Sequence, residues 1–144
     1  MTLGSLINNL ETLPKVIQKE VDEIVLSDSA VLNREQLEKG KRADDKDVQF
    51  PDGRTTYSKG YKKLKQRLGK QNKHIDLKLT GDFHKSIETK KRRKGTYENV
   101  SGDTLYTGKL RPTFGSEILG LNKEATEKLN KKIENSLRKI LFKL

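Results

Sequence analysis

The chain has 144 residues, 31 Lys plus Arg against 20 Asp plus Glu, a net charge of +11, and only 31% hydrophobic and 6% aromatic residues. That length suits one domain, and that composition disfavours a large apolar core, so either a compact domain with long polar excursions or a subunit that gains burial by assembling is expected. The absence of cysteine excludes disulfides, Cys-bound zinc and a thiol nucleophile, and no apolar run reaches membrane-spanning length.

Met1-Thr2-Leu3-Gly4-Ser5 lacks the pattern of a secretory signal, so a reducing cytoplasm, or a particle assembled there, is the expected setting. From Leu3 to Val25, apolar residues recur three or four apart (Leu3, Leu6, Ile7, Leu10, Leu13, Ile17, Val21, Ile24), which predicts an amphipathic helix. Pro14 is expected to kink it or to start a second helix. Its polar face mixes both signs, which disfavours a membrane surface. Val31 to Leu37 either extends this helix or forms its own turn, giving an N-terminal helical region over 1–37.

Residues 38–75 read as an extended polar and basic arm. Gly40 to Asp47 has loop composition, Pro51-Asp52-Gly53 signals a turn, and Tyr57, Tyr61, Leu64 and Leu68 predict a short basic helix over 58–68, ended near Gly69. Ile75 to Thr80 alternates apolar and polar, the signature of a half-buried strand, and Gly81 breaks it. Phe83 and Ile87, four apart, allow a helical turn. Residues 86–93 and 95–100 pair as a hairpin around Lys94-Gly95, and Leu105 to Leu110 adds a further strand, so 76–120 is a small antiparallel sheet. Over 121–144, Asn122 as N-cap and the stripe Leu129, Ile133, Leu137, Ile140 and Leu141 predict a C-terminal helix, with Leu121 before it. The fold class is α+β: a long N-terminal helix, a long basic loop or arm, a small antiparallel sheet and a C-terminal helix in a single domain.

The charge is segregated. Residues 1–53 carry 7 Lys/Arg and 11 Asp/Glu, a net of −4; residues 54–94 carry 15 and 3, a net of +12; residues 95–144 carry 9 and 6, a net of +3. A block of one sign is retained beside an anion or as a solvated loop, and the balance favours an anionic neighbour. The candidate contacts to DNA or an acidic partner are Lys62, Lys63, Lys65, Arg67, Lys90, Lys91, Arg92, Arg93 and Lys94, touching phosphate without reading sequence. Tyr57, Tyr61, Phe83 and Tyr97 lie in or near this stretch, where core anchoring outweighs stacking on bases. No catalytic constellation appears. His74 and His84 match no zinc spacing and read as surface histidines, Ser136 to Lys139 fits S-x-x-K only as part of an amphipathic helix, and Asp44, Asp45 and Asp47 read as a solvated loop. No enzyme activity, cofactor, metal or small-molecule substrate is expected.

Tyr57-Ser58, Lys62-Lys63 and the run Leu77-Lys78-Leu79-Thr80-Gly81-Asp82-Phe83-His84-Lys85-Ser86-Ile87 resemble small proteins of tailed bacteriophages: the tail-completion, head–tail joining or minor tail family and related virion-morphogenesis proteins. Thr80, Gly81, Phe83, Ser86 and Ile87 match the family motif in register, and Asn33 to Gly40 resembles the entry to its polar loop. The chain departs from the pattern in lacking the aromatic-rich stretch before the closing helix, where Phe114-Gly115 stands. The resemblance implies a structural virion protein that forms a homo-oligomeric ring at the head–tail connector, neck or upper tail. It further implies other neck or tail proteins as partners, with assembly in the host cytoplasm. The alternative from charge alone is a small, non-sequence-specific nucleic-acid-binding accessory protein. The acidic N-terminal third argues against that, since it suits pairing with a basic neighbour rather than with DNA.

Overall fold

The computed structural model describes residues 2–102 and 110–143. The fold is mixed α+β and mostly helical: α1 (Leu3–Glu38), α2 (Lys59–Arg67), α3 (Asp82–Ser86), β1 (Glu88–Lys91), β2 (Tyr97–Val100), α4 (Leu110–Phe114) and α5 (Lys123–Leu141).

The spine is α1, 36 residues and so about 54 Å long. Thr2 caps its start by accepting from the Ser5 N–H. Pro14 neither starts nor ends a helix. It lies on the exposed side, so the Leu10 carbonyl that lacks its usual donor faces water. The helix runs on through Val31–Leu37 and stops at Gly40. There the Gly40 N–H bonds the Leu37 carbonyl and the Lys41 N–H bonds the Gln36 carbonyl, a Schellman end with Gly40 at φ 72°. A Cβ at Gly40 would also meet the His74 ring at 2.7 Å.

A row of polar residues on α1 organises the segments packed against it. Asn33 is fully buried; its Nδ2 donates to the Ile118 carbonyl (3.0 Å), and its Oδ1 accepts from the Gly120 N–H (2.8 Å) and from Asn99 Nδ2 (3.1 Å). One turn earlier, Ser29 donates to Asn99 Oδ1, which also accepts from Thr89 of β1. One turn later, Gln36 donates to the Gly120 carbonyl and accepts from the Asn122 N–H. Arg34 donates to the carbonyls of His84 and Ile87. The irregular backbone at 118–122 and the unpaired carbonyls at the end of α3 are thus satisfied by side chains of α1.

Two apolar clusters flank this row. One joins Ala30 and Leu37 of α1 to Val48, Tyr57, Ile75, Leu77, Phe83, Ile87, Phe114 and Ile118. The other joins Ile24 and Val25 to Leu129 of α5, with Tyr97 and Leu121 against them. Asn122 caps α5 as expected, accepting from the Ala125 N–H at 3.0 Å. The hairpin also matches the expectation: β1 and β2 pair antiparallel from Glu88↔Val100 to Lys91↔Tyr97, around a 3₁₀ turn Arg93–Gly95 with Gly95 at φ 72°.

Two expectations are corrected. Residues 38–75 are not an extended arm, because Val48, Tyr57 and Ile75 are core residues and the Ala43 N–H ties the loop to the Glu117 carbonyl. Residues 75–80 are not a strand. Asp76, which alternation assigns to solvent, is buried, and Leu77 takes a left-handed φ of 57° that breaks the extended path. The strand expected over 105–110 falls on 103–109, outside the described residues, and Leu110 opens α4.

Replacing Asn33 with Ala would take their partner from the half-buried Gly120 N–H and the buried Ile118 carbonyl, and one of its bonds from the Asn99 amide. The expected cost is about 2–4 kcal/mol of unfolding free energy, read from urea titration at constant m.

Candidate functional site: the basic face of the second helix

Helix α2 is capped by Ser58, whose Oγ accepts from the Tyr61 N–H, and it closes at Gly69 with φ 67°. At about 100° per residue, Lys59, Lys62, Lys63, Gln66 and Arg67 share one arc, while Lys65 falls outside it, on the side of Tyr61. Lys59, Lys63 and Arg67 are exposed and Lys62 is half-buried, with Lys70 and Lys73 exposed in the turns beyond the helix. Among the described residues, none of these six basic groups forms an ion pair with a carboxylate. The face therefore carries uncompensated ammonium and guanidinium groups in water, suited to phosphate or carboxylate and to no bond-making chemistry.

Lys65 belongs to the interior, a correction to its place among the surface contacts. It is 0% exposed; its Nζ lies 2.5 Å from Asp76 Oδ1 and 4.8 Å from the centre of the Tyr57 ring. Asp76 also accepts from the Tyr57 hydroxyl at 3.2 Å and the Lys78 N–H at 3.0 Å, and the Tyr57 oxygen accepts from the Leu77 N–H. Burial alone would raise the Asp76 carboxyl, but hydrogen bonds from Gln71, Lys65 and the Lys78 backbone outweigh it and hold the carboxyl below its ordinary value. This buried pair fixes the rotation of α2 and so decides which lysines face out.

The hairpin cluster is a different environment. Lys91 pairs with Asp22 of α1 at 2.6 Å, Arg92 with Glu98 at 2.9 Å and Lys90 with Glu88 at 3.3 Å. Lys91, and then Tyr97, hydrogen-bond the Asp22 carboxylate and hold it at about 2. Arg93 is exposed, and the Lys94 side chain is outside the described ones. The two clusters are not gathered into one patch: the hairpin is tied to α1 at Asp22, whereas the chain after α2 is tied to it at Glu38 through Lys78 and His74. Those anchors are about 24 Å apart along the helix.

The motif residues form a junction. Gly81 takes φ 87° at the head of α3, the Thr80 hydroxyl accepts from the Asp82 N–H, Ser86 donates to the Phe83 carbonyl, and Phe83 and Ile87 enter the core. Tyr57 and Phe83 are core anchors, and Tyr61 and Tyr97 pack half-buried against the two clusters. His84 is buried, not a surface histidine. Its Nε2 lies 2.7 Å from the Asp76 carbonyl, to which it donates, leaving Nδ1 as a bare acceptor with no partner among the described residues. Burial pushes its pKa below the ordinary 6.5. Sequence reasoning missed Lys59, Lys70 and Lys73 as exposed basic groups at this face; the helical phase of Lys59 relative to Tyr61 carries its signal, whereas Lys70 and Lys73 lie beyond the helix, where phase gives none. Among the described residues no group of three or more His, Asp or Glu is placed to hold a metal. In comparison with known proteins, no family model, curated protein or solved structure matches the chain.

The buried groups set two expected outcomes. Replacing Lys65 with Met leaves Asp76 buried without its cation, an expected loss of about 3–5 kcal/mol, partly recovered by adding Asp76→Asn and measured by chemical denaturation. His84 resists a proton that the unfolded chain accepts below pH 6.5, so stability falls as the pH drops from 6.5 toward its depressed folded pKa, with a ceiling of about 1.4 kcal/mol per pH unit. Urea midpoints of a His84→Gln variant, whose amide still donates to the Asp76 carbonyl, should lose that slope between about pH 6.5 and 5.

Proposed function

We propose that the chain is a structural subunit of a tailed-phage virion, acting by assembly rather than catalysis, within a homo-oligomeric ring at the head–tail connector, neck or upper tail. The observation that carries this reading is the uncompensated basic face of α2 on a body whose first 53 residues have a net charge of −4. Cations with no carboxylate of their own subunit beside them suit a contact with a different, acidic surface of a neighbour, and a contact between unlike surfaces is the kind that closes rings. The resemblance around Thr80-Gly81-Asp82-Phe83 and the order of elements supply the virion context.

In this reading the α2 face meets DNA in the channel or an acidic neighbouring protein, and phosphate contact is sequence-independent. The hairpin cations contribute less, since Lys90, Lys91 and Arg92 already have carboxylates beside them. An accessory DNA-binding protein is the second reading, favoured by the same face if it acts without a ring.

Light scattering and electron microscopy of the purified chain, with a DNA titration at two salt concentrations, separate the two. A ring with weak DNA affinity supports the virion subunit; tight binding by a small species, with a steep salt slope and no ring, overturns it. In either case Lys63→Glu with Arg67→Glu is expected to weaken DNA binding and to reduce the salt slope by about 2, whereas Lys91→Ala changes it little.

A further inference from the structure

The first three turns of α1 lie beyond the rest of the body. Helix α5 runs antiparallel to α1, with Glu124 against Lys39, Lys132 against Asp28 and Ser136 against Glu20. In that register, α5 ends at Leu141 beside the turn around Pro14–Val16, and residues 3–13 extend roughly 16 Å further. At about 100° per residue, Leu3, Leu6, Leu10, Leu13 and Ile17 fall on the same stripe as Val21, Ile24 and Asp28, which α5 covers lower down. The exposed stripe is thus a direct continuation of an interface within the fold. Leu3 is 73% exposed and Leu10 52%, and at the step where α5 stops Leu141 is 49% and Phe142 88% exposed.

The charge pattern is as telling. Residues 2–10 contain no charged side chain, in a chain that is 35% charged. The flanking charges, Glu11, Lys15, Lys19, Glu20, Asp22 and Glu23 of α1 with Arg138, Lys139 and Lys143 at the end of α5, mix both signs, unlike the uniformly basic rim that suits an anionic lipid surface. A second copy supplies a match in length and character: its residues 2–10 are likewise uncharged, and its own stripe of Leu3, Leu6 and Leu10 is an apolar face that can lie against this one and end at Phe142.

We infer that the projecting end of α1 pairs antiparallel with the same segment of a second copy of this chain about a two-fold axis. With Leu3 opposite Leu13 and Leu6 opposite Leu10, the start of each α1 abuts Leu141 and Phe142 of the other copy, so one self-complementary contact covers both exposed patches. Leu3, Leu6, Ile7, Leu10, Leu13, Leu141 and Phe142 from each copy need bury only about 70 Å² apiece to reach the ~1,000 Å² of a specific interface. The inference rests on the assembly reading in that both call for a second copy, but a two-fold contact is a separate surface from one that closes a ring.

Light scattering of the full chain at several concentrations, with the Leu6→Glu, Leu10→Glu double variant beside it, tests the contact. The native chain is expected to show a concentration-dependent even-numbered species, and the variant to lose it while its thermal melt is retained. Because the chain has no cysteine, a Leu6→Cys, Leu10→Cys variant gives a second readout: oxidation is expected to yield a covalent dimer. A native chain that stays monomeric, a variant that associates as before, or a cysteine pair that fails to cross-link overturns the inference. A dimer without a ring removes the ring reading and leaves this contact standing; a ring unchanged by the glutamates does the reverse.

Discussion

The rest of the fold depends on one row of polar side chains along α1. Ser29, Asn33 and Gln36 sit where an ordinary amphipathic helix would place apolar residues, and each is buried with its hydrogen bonds made. Their partners are the backbone of residues 118–122 and the amide of Asn99. A chain with 31% hydrophobic residues has little surface to bury, so position is specified by directional bonds rather than by volume. Each bond contributes only about 1 kcal/mol net, but leaving any one of them unmade in this interior costs more than that, which makes the arrangement specific.

The Lys65–Asp76 pair extends the same logic to charge. A buried ion pair is weak evidence for stability, because desolvation opposes the attraction, yet it is intolerant of rotation. With Lys65 held against Asp76 and Tyr57, α2 presents Lys59, Lys63 and Arg67 to solvent. The basic face is therefore a consequence of where one lysine is hidden.

The legible parts of the fold were those written in spacing and caps. Asn122 with the 3.6-residue apolar stripe after it gives α5, Gly95 within a polar hairpin gives the turn, and Ser58 with Gly69 brackets α2. The parts that misled were polar residues facing inward. Alternation over Ile75 to Thr80 assigns Asp76 to water, whereas Lys65, Tyr57 and Lys78 surround it, and the left-handed Leu77 then ends any extended path. The same blindness made 38–75 read as an arm: Val48, Tyr57 and Ile75 are too sparse to announce a core, and the residues between them fold because Gly40, Ala43 and His74 are tied by bonds to the backbone. At the basic surface, net charge marks residues 54–94 only as a block; the helix phase separates Lys63 from Lys65, and the neighbours separate the bare α2 lysines from the paired Lys91.

The long reach of the polar row has a consequence for synthesis. Asn33 and Gln36 bond to partners that lie 84 to 87 positions further along the chain. At about 5–20 residues per second, a ribosome takes roughly 4–17 s to deliver those partners after α1 has been made. Throughout that interval Asn33 and Gln36 lack the backbone of residues 118–122 that they will bond. An apolar row would spend those seconds as a sticky surface on a nascent chain; serine, asparagine and glutamine spend them hydrated, and exchange water for backbone when the last quarter of the protein arrives.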